Sequence, residues 1–134
     1  MTAILVDSNV LLDLLTEDER WFAWSAATLA HAAESATLVI NPLIYAEVAV
    51  GFARIETMDE ALPPSLLRRD PLPYEAGFLA AQCFATYRRR GGARSSPLPD
   101  FYIGAHAAVA GMSLMTRDVS RFATYFPTVK LIAP

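Results

Sequence analysis

Four carboxylates stand apart from the other charges of this sequence. Asp7 is the only charged residue in 1–12, Glu47 the only one in 35–53 and Asp100 the only one in 95–116, while Asp118 follows the apolar stretch 113–115 with Arg117 beside it. The first three lie in segments that otherwise favour burial, and no Lys or Arg stands close to them in sequence. An ionised carboxylate in such a place is costly unless it is paired, hydrogen-bonded or bound to a metal. Four acids gathered in one place would repel one another and raise some of their pKa values, and a divalent cation would relieve the repulsion. Hard oxygen donors without His or Cys at ligand spacing suit Mg²⁺ or Mn²⁺ better than zinc. His31 and His106 are far apart, and Cys83 is the single cysteine. His106 reads as a packed or rim histidine, and Cys83, between Ala80 and Phe84, as a small core residue.

Each acid also has a simpler reading. Asp7, Asp100 and Asp118 precede or open predicted helices, where Asp is a favoured N-cap. Glu47 lies at the edge of an apolar helical stripe, from which it can reach solvent or a distant arginine. The arginines form a second constellation, since ten of the eleven basic residues are Arg. Arg88, Arg89, Arg90 and Arg94 fall at a predicted helix end and the loop after it, and Arg68 and Arg69 in another loop. A guanidinium fits phosphate oxygens, although cations at a helix C-terminus are favourable whatever the function. No Walker loop, GxGxxG or GxSxG is present, which removes nucleoside triphosphatase, dinucleotide-binding and serine hydrolase readings.

The elements that must position these residues follow from pattern. Thr2–Val6 is a short apolar run that predicts a buried strand, and Val10, Leu11, Leu14 and Leu15 recur at helical spacing after it. A helix is expected over 20–35, a strand over Thr37–Ile40, and a helix over 43–58 with Ile44, Val48, Gly51, Phe52 and Ile55 on one face. Pro63-Pro64 breaks the chain. Helices are expected over 74–90, stopped by Gly91-Gly92, and over 100–110, stopped by Gly111. Strands at 113–115 and 129–132 flank a short helix at 118–123. Strands alternating with helices predict an α/β sandwich around a mostly parallel sheet, with functional groups at the carboxyl ends of the strands. Two of the four acids would then end strands, and two would lie on helices packed beside the sheet.

A length of 134 residues fits one compact domain spanning 1–134, and the apolar content excludes disorder. The longest uncharged run, 101–116, is too short for a bilayer span. The apolar start at Ala3–Val6 has no basic residue before it and is interrupted by Asp7, so it does not read as a secretory signal. With a single cysteine, these features point to a cytoplasmic protein. The net charge of −3 excludes coating nucleic acid by bulk charge. It does not exclude an enzyme that meets phosphate through bound cations, because four of the fourteen acids are the set above and the rest nearly balance eleven basic residues.

Four segments resemble a known family in order and spacing: Val6-Asp7-Ser8-Asn9-Val10-Leu11-Leu12, Tyr45-Ala46-Glu47-Val48, Pro99-Asp100-Phe101-Tyr102-Ile103-Gly104-Ala105 and Thr116-Arg117-Asp118-Val119-Ser120-Arg121-Phe122. They are similar to the motifs of PIN-domain ribonucleases, and most similar to the VapC-type toxins of bacterial VapBC toxin–antitoxin pairs. The resemblance implies a three-layer α/β/α fold and Mg²⁺- or Mn²⁺-dependent endonucleolytic cleavage of RNA. It maps the acidic set onto Asp7, Glu47, Asp100 and Asp118, with Asp7 and Asp100 as principal metal ligands. Ser8, Asn9 and Thr116 match supporting polar positions, and Arg117 and Arg121 fall in a variable motif and join Arg88, Arg89, Arg90 and Arg94 as candidate RNA contacts. Gly104 and His106 depart from the small or hydroxyl residues common in the third motif. A VapB-type antitoxin over the acidic groove and a homodimer, through the helices at 20–35 and 43–58, are implied partners.

Two rival readings remain. Asp7-Ser8-Asn9-Val10 after a strand is similar to the opening of haloacid-dehalogenase-type phosphatases, but those place an Asp where this chain has Asn9, and a Lys before a later acidic pair, whereas the sole lysine is Lys130. A non-catalytic PIN-fold interaction module would keep four acids whose burial without metal only destabilises it.

Overall fold

The computed structural model describes residues 2–92 and 98–134. Its centre is a five-stranded sheet in the order β3-β2-β1-β4-β5, formed by β1 (Thr2–Val6), β2 (Ala36–Ile40), β3 (Leu67–Arg69), β4 (Ser113–Met115) and β5 (Leu131–Ile132). Every neighbouring pair is parallel, with Leu5 opposite Val39 on one side and Leu114 on the other. Consecutive residues of the central strands are buried, Leu5 and Val6 in β1 and Val39 and Ile40 in β2. Successive side chains point to opposite faces, so both faces are covered. The helices α1 (Ser8–Leu15), α2 (Phe22–Ala33), α3 (Pro42–Ala49), α4 (Ile55–Ala61), α5 (Tyr74–Arg89), α6 (Leu98–Ala110) and α7 (Val119–Tyr125) complete an α/β/α arrangement.

The strand order fixes where a site can form. From β1 the chain steps outward to β2 and β3, and later returns to the other side of β1 for β4 and β5. Connections therefore diverge between β1 and β4, and at such a switch point they leave a crevice outside the carboxyl ends of the strands. The residues that follow those two strands are Asp7 and Thr116, and the Asp7 backbone N–H donates to the Met115 carbonyl at 2.9 Å.

Two expectations are corrected. The helix expected over 43–58 is two helices, because the first ends at Ala49 and the second starts at Ile55. Gly51, a weak helix former, sits in the break, where Gly51 and Phe52 donate their N–H groups in tight turns to Val48 and Ala49. Ile55, expected on the buried face, is consequently 64% exposed. The strand β3 carries Arg68 and Arg69, expected in a loop. Three residues, two of them arginine, show no readable alternation, and only pairing with β2 makes them a strand. The remaining elements fall within a few residues of expectation, and the sheet is parallel throughout. α5 ends through Gly91 at φ +86°, a left-handed conformation open to glycine. Gly104 has a packing reason. A Cβ there would come within 2.4 Å of the Phe126 ring, so the missing side chain lets that ring lie against α6. Among the described residues, no helix is long and apolar enough to cross a membrane.

Candidate active site

Asp7 turns from the end of β1 into α1 and is 5% exposed. Its Oδ1 accepts the Ser8 N–H at 2.8 Å, and its Oδ2 accepts the Thr116 hydroxyl at 2.8 Å and the Asn9 amide at 3.3 Å. The Asn9 amide also reaches the Thr116 hydroxyl at 3.2 Å, and that hydroxyl accepts the Asp118 N–H at 3.0 Å. Side chains from the ends of β1 and β4 are thereby tied across the crevice. The ties do not neutralise the acid. Burial pushes the Asp7 carboxyl up to about 6, with Glu47 and Asp100 adding repulsion against the bonds from Thr116 and Ser8.

Glu47 comes from α3, whose start is fixed by Asn41. The Asn41 side chain accepts the Ile44 N–H at 2.9 Å, and its amide lies 3.1 Å from Nδ1 of His106. His106 is therefore packed within the fold, and burial lowers its pKa. Donating to that neutral nitrogen leaves Asn41 oxygen free to cap the helix. The Ser8 hydroxyl donates to Glu47 at 3.0 Å, so consecutive residues of one turn hold two of the acids. Burial raises the Glu47 pKa, and Asp100 adds to it.

Asp100 lies in the first turn of α6 and Asp118 at the start of α7. Asp118 is exposed and makes no side-chain capping bond, so capping does not account for it. Asp100 is raised by burial and by Asp118, against Arg121, whose Nη1 lies 2.6 Å from Asp100 Oδ2. The Arg121 guanidinium also stacks 5.6 Å from the ring centroids of both Tyr87 and Phe101. Asp7 thus feels Glu47 and Asp100, Glu47 feels Asp100, and Asp100 feels Asp118. All four acids meet in one electrostatic neighbourhood.

The other arginines divide. Arg117 turns to Asp13, with Nε and Nη2 on its two carboxylate oxygens at 2.8 and 3.0 Å. Arg88 lies over Phe84 and Arg90 over Tyr125, while Arg89 donates to Thr86. Arg94 lies outside the described residues. Sequence reasoning missed Asp13, a buried acid between Leu12 and Leu14 that carried the same signal as the other isolated carboxylates. A separate, almost wholly apolar concavity of about 250 Å³ is lined by Leu11, Leu14, Leu15, Leu29, Leu62 and Leu66.

The donor chemistry suits a hard divalent cation: carboxylates from four elements, one of them buried and raised, with neither His nor Cys among them. As placed, no three His, Cys, Asp or Glu side chains among the described residues close around a common point. Asp100 already carries the Arg121 guanidinium, so a cation binding there would have to share that carboxylate or displace the arginine.

The PIN-domain profile matches residues 4–125. The chain belongs to the PIN-domain family. Solved structures agree on the PIN fold. A chain of VapBC2 from Rickettsia felis, bound to a DNA fragment from its promoter, is 16% identical with a TM-score of 0.74 and 98% of each chain covered. VapBC-1 from nontypeable Haemophilus influenzae is 17% identical at a TM-score of 0.74, again over 98% of each chain. A toxin–antitoxin complex from Klebsiella pneumoniae is 20% identical at 0.71, over 98% of this chain and 97% of that one. No curated protein matches in sequence.

Proposed function

We propose that this PIN domain is a Mg²⁺- or Mn²⁺-dependent endoribonuclease, the VapC-type toxin of a toxin–antitoxin pair acting in the cytoplasm. The observation that carries the reading is the meeting of Asp7, Glu47, Asp100 and Asp118 at the switch point of the sheet, with the Asp7 carboxyl raised to about 6 and, among the described residues, no cationic side chain paired with it. Buried like charge of this kind is destabilising unless a ligand uses it. Asp7 and Asp100 would be the principal metal ligands, and Glu47 and Asp118 would take a second ion or its waters. When bound, the cation supplies a water of lowered pKa and neutralises charge on the phosphate.

The chain's own residues do the positioning. Thr116, Asn9 and the Ser8 N–H fix both oxygens of Asp7, and the Ser8 hydroxyl orients Glu47. The toxin–antitoxin complexes among the structural neighbours support an antitoxin partner. The apolar content of α2 and α3 supports a homodimer.

The test is Asp7→Asn and Asp100→Asn in purified protein. Both should abolish metal-dependent RNA cleavage while circular dichroism shows an intact fold, and expression of Asp100→Asn should no longer arrest growth as the wild type does. Full cleavage by either variant overturns the assignment.

A further inference from the structure

His106 stands on the same helix as Asp100, six residues further on, and is 2% exposed. Its Nδ1 lies 3.1 Å from the amide nitrogen of Asn41, which caps α3 through its side-chain oxygen. The two contacts fix each other's chemistry. A backbone N–H can only donate, so the carboxamide oxygen must face Ile44 and the nitrogen must face the ring. Nδ1 therefore accepts, and the neutral ring carries its proton on Nε2. Burial favours that uncharged form, against the attraction of Asp70. An Nδ1–H would set two donors face to face, and Asn41 could then satisfy the ring or the helix but not both.

Asn41 is placed where this matters. Leu5 pairs with Val39, and two residues further on Asp7 follows β1 beside Asn41, which follows β2. Pro42 opens α3 without an N–H to offer, and the cap bond goes to Ile44. Glu47 comes six residues after the cap, about 9 Å along the axis. Its other tie is the Ser8 hydroxyl. Ile44 and Val48 hold the middle of α3 to the core, which leaves its first turn to the cap.

Resting on the nuclease reading, we propose that His106 is a positioning residue for the acidic site: its unprotonated Nδ1 holds Asn41 in the orientation that caps α3, and so sets where Glu47 stands. α6 then carries one acid directly, Asp100 in its first turn, and places a second through His106, Asn41 and α3. The spacing of two carboxylates that repel each other is thereby referred to one helix.

The experiment compares metal-free wild type with His106→Leu, which removes the acceptor, and His106→Asn, whose carboxamide oxygen can stand where Nδ1 stood. His106→Gln, which reaches instead to the Nε2 position, is a second way to remove the acceptor should the leucine variant not fold. The measurements are ring-nitrogen NMR with the exposed His31 as reference, amide hydrogen exchange at Ile44 and calorimetric titration with Mn²⁺. In the wild type, Nδ1 of His106 should be unprotonated and Nε2 protonated. His106→Leu should exchange faster at Ile44 and bind Mn²⁺ about fivefold more weakly, the ratio equivalent to a lost cap. His106→Asn should restore both. A role in packing alone predicts the reverse order, because leucine suits a buried helix better than asparagine. A protonated Nδ1, an Ile44 amide as protected in His106→Leu as in the wild type, or Mn²⁺ binding no weaker in His106→Leu than in His106→Asn overturns the role, and leaves the nuclease reading standing if the wild type still cleaves. A wild type that neither binds Mn²⁺ nor cleaves RNA overturns both.

Discussion

Two aspartate–arginine pairs stand at the same end of the sheet and are built to opposite purposes. Asp13 and Arg117 meet through two parallel bonds, the Ser25 hydroxyl adds a third to the same carboxylate at 2.7 Å, and the guanidinium lies 5.2 Å from the Trp21 ring centroid. The Asp13 side chain is 3% exposed. Asp100 and Arg121 meet through one nitrogen and one oxygen, each 24% exposed, with Asp118 repelling from beside them. Both guanidinium groups rest on aromatic rings. The difference is in the acid: Asp13 has both oxygens taken up by partners of the fold, whereas Asp100 is partly exposed, has other acids beside it and, among the described residues, is bonded through one oxygen. The first pair ties α1 to the loop after β4, and on the proposed nuclease reading the second is exchangeable for a metal ion.

The largest effect should come from breaking the closed pair. Asp13→Ala strands a half-buried guanidinium and removes the partner of Ser25, and loss of one member of a buried pair costs about 3–5 kcal/mol. Urea unfolding should show that loss. Cleavage per folded molecule at low temperature should stay near wild type. A stability change below about 1 kcal/mol would mean that Arg117 finds water easily, and that the two pairs are alike after all.

How much of this was legible in the sequence depends on what each residue answers to. The isolation of Asp7, Glu47 and Asp100 among apolar neighbours was visible because burial is a local property of composition, and the structure gathers those residues with Asp118. Their pairing was not visible. Arg121 meets Asp100 across two helices, and Arg117 meets Asp13 over more than a hundred positions, so neither pair leaves a sequence pattern. The same limit explains β3, which exists because β2 offers an edge, and the break after α3, where Gly51 interrupted a stripe that periodicity alone carried on to Ile55. Long periodic elements were readable from the chain, and contacts made only by the sheet's topology were not.

The acidic cluster should also respond to pH. For Asp7 the folded-state pKa is raised from 3.8 to about 6, so the native state holds its proton more tightly than the unfolded chain. Stability is then greatest below about 4 and falls as pH rises through about 6, by up to about 3 kcal/mol from this group. Glu47 and Asp100, both raised, act in the same direction. Metal-free protein should therefore lose stability between about pH 4 and 6 and change little from this cause above that, and Asp7→Asn should flatten the slope and raise the melting temperature at pH 7. Stability that rises with pH over this window would show that the cluster is already neutralised.

The smallest effect tests the exchangeable pair itself. Removing a partly exposed, single-contact pair changes stability by about 1 kcal/mol or less, so Arg121→Gln should melt close to wild type. Its consequence should appear in metal affinity, because a cation approaching Asp100 no longer competes with a guanidinium. Calorimetric titration of metal-free protein should give Mn²⁺ binding about two- to fivefold tighter than wild type, the equivalent of that same pair energy. The opposite sign is equally informative: weaker Mn²⁺ binding would mean that Arg121 holds Asp100 and Asp118 together against their repulsion and so builds the acidic cluster. In that case the two arginines would share one structural role, and the contrast between the pairs would lie only in their exposure.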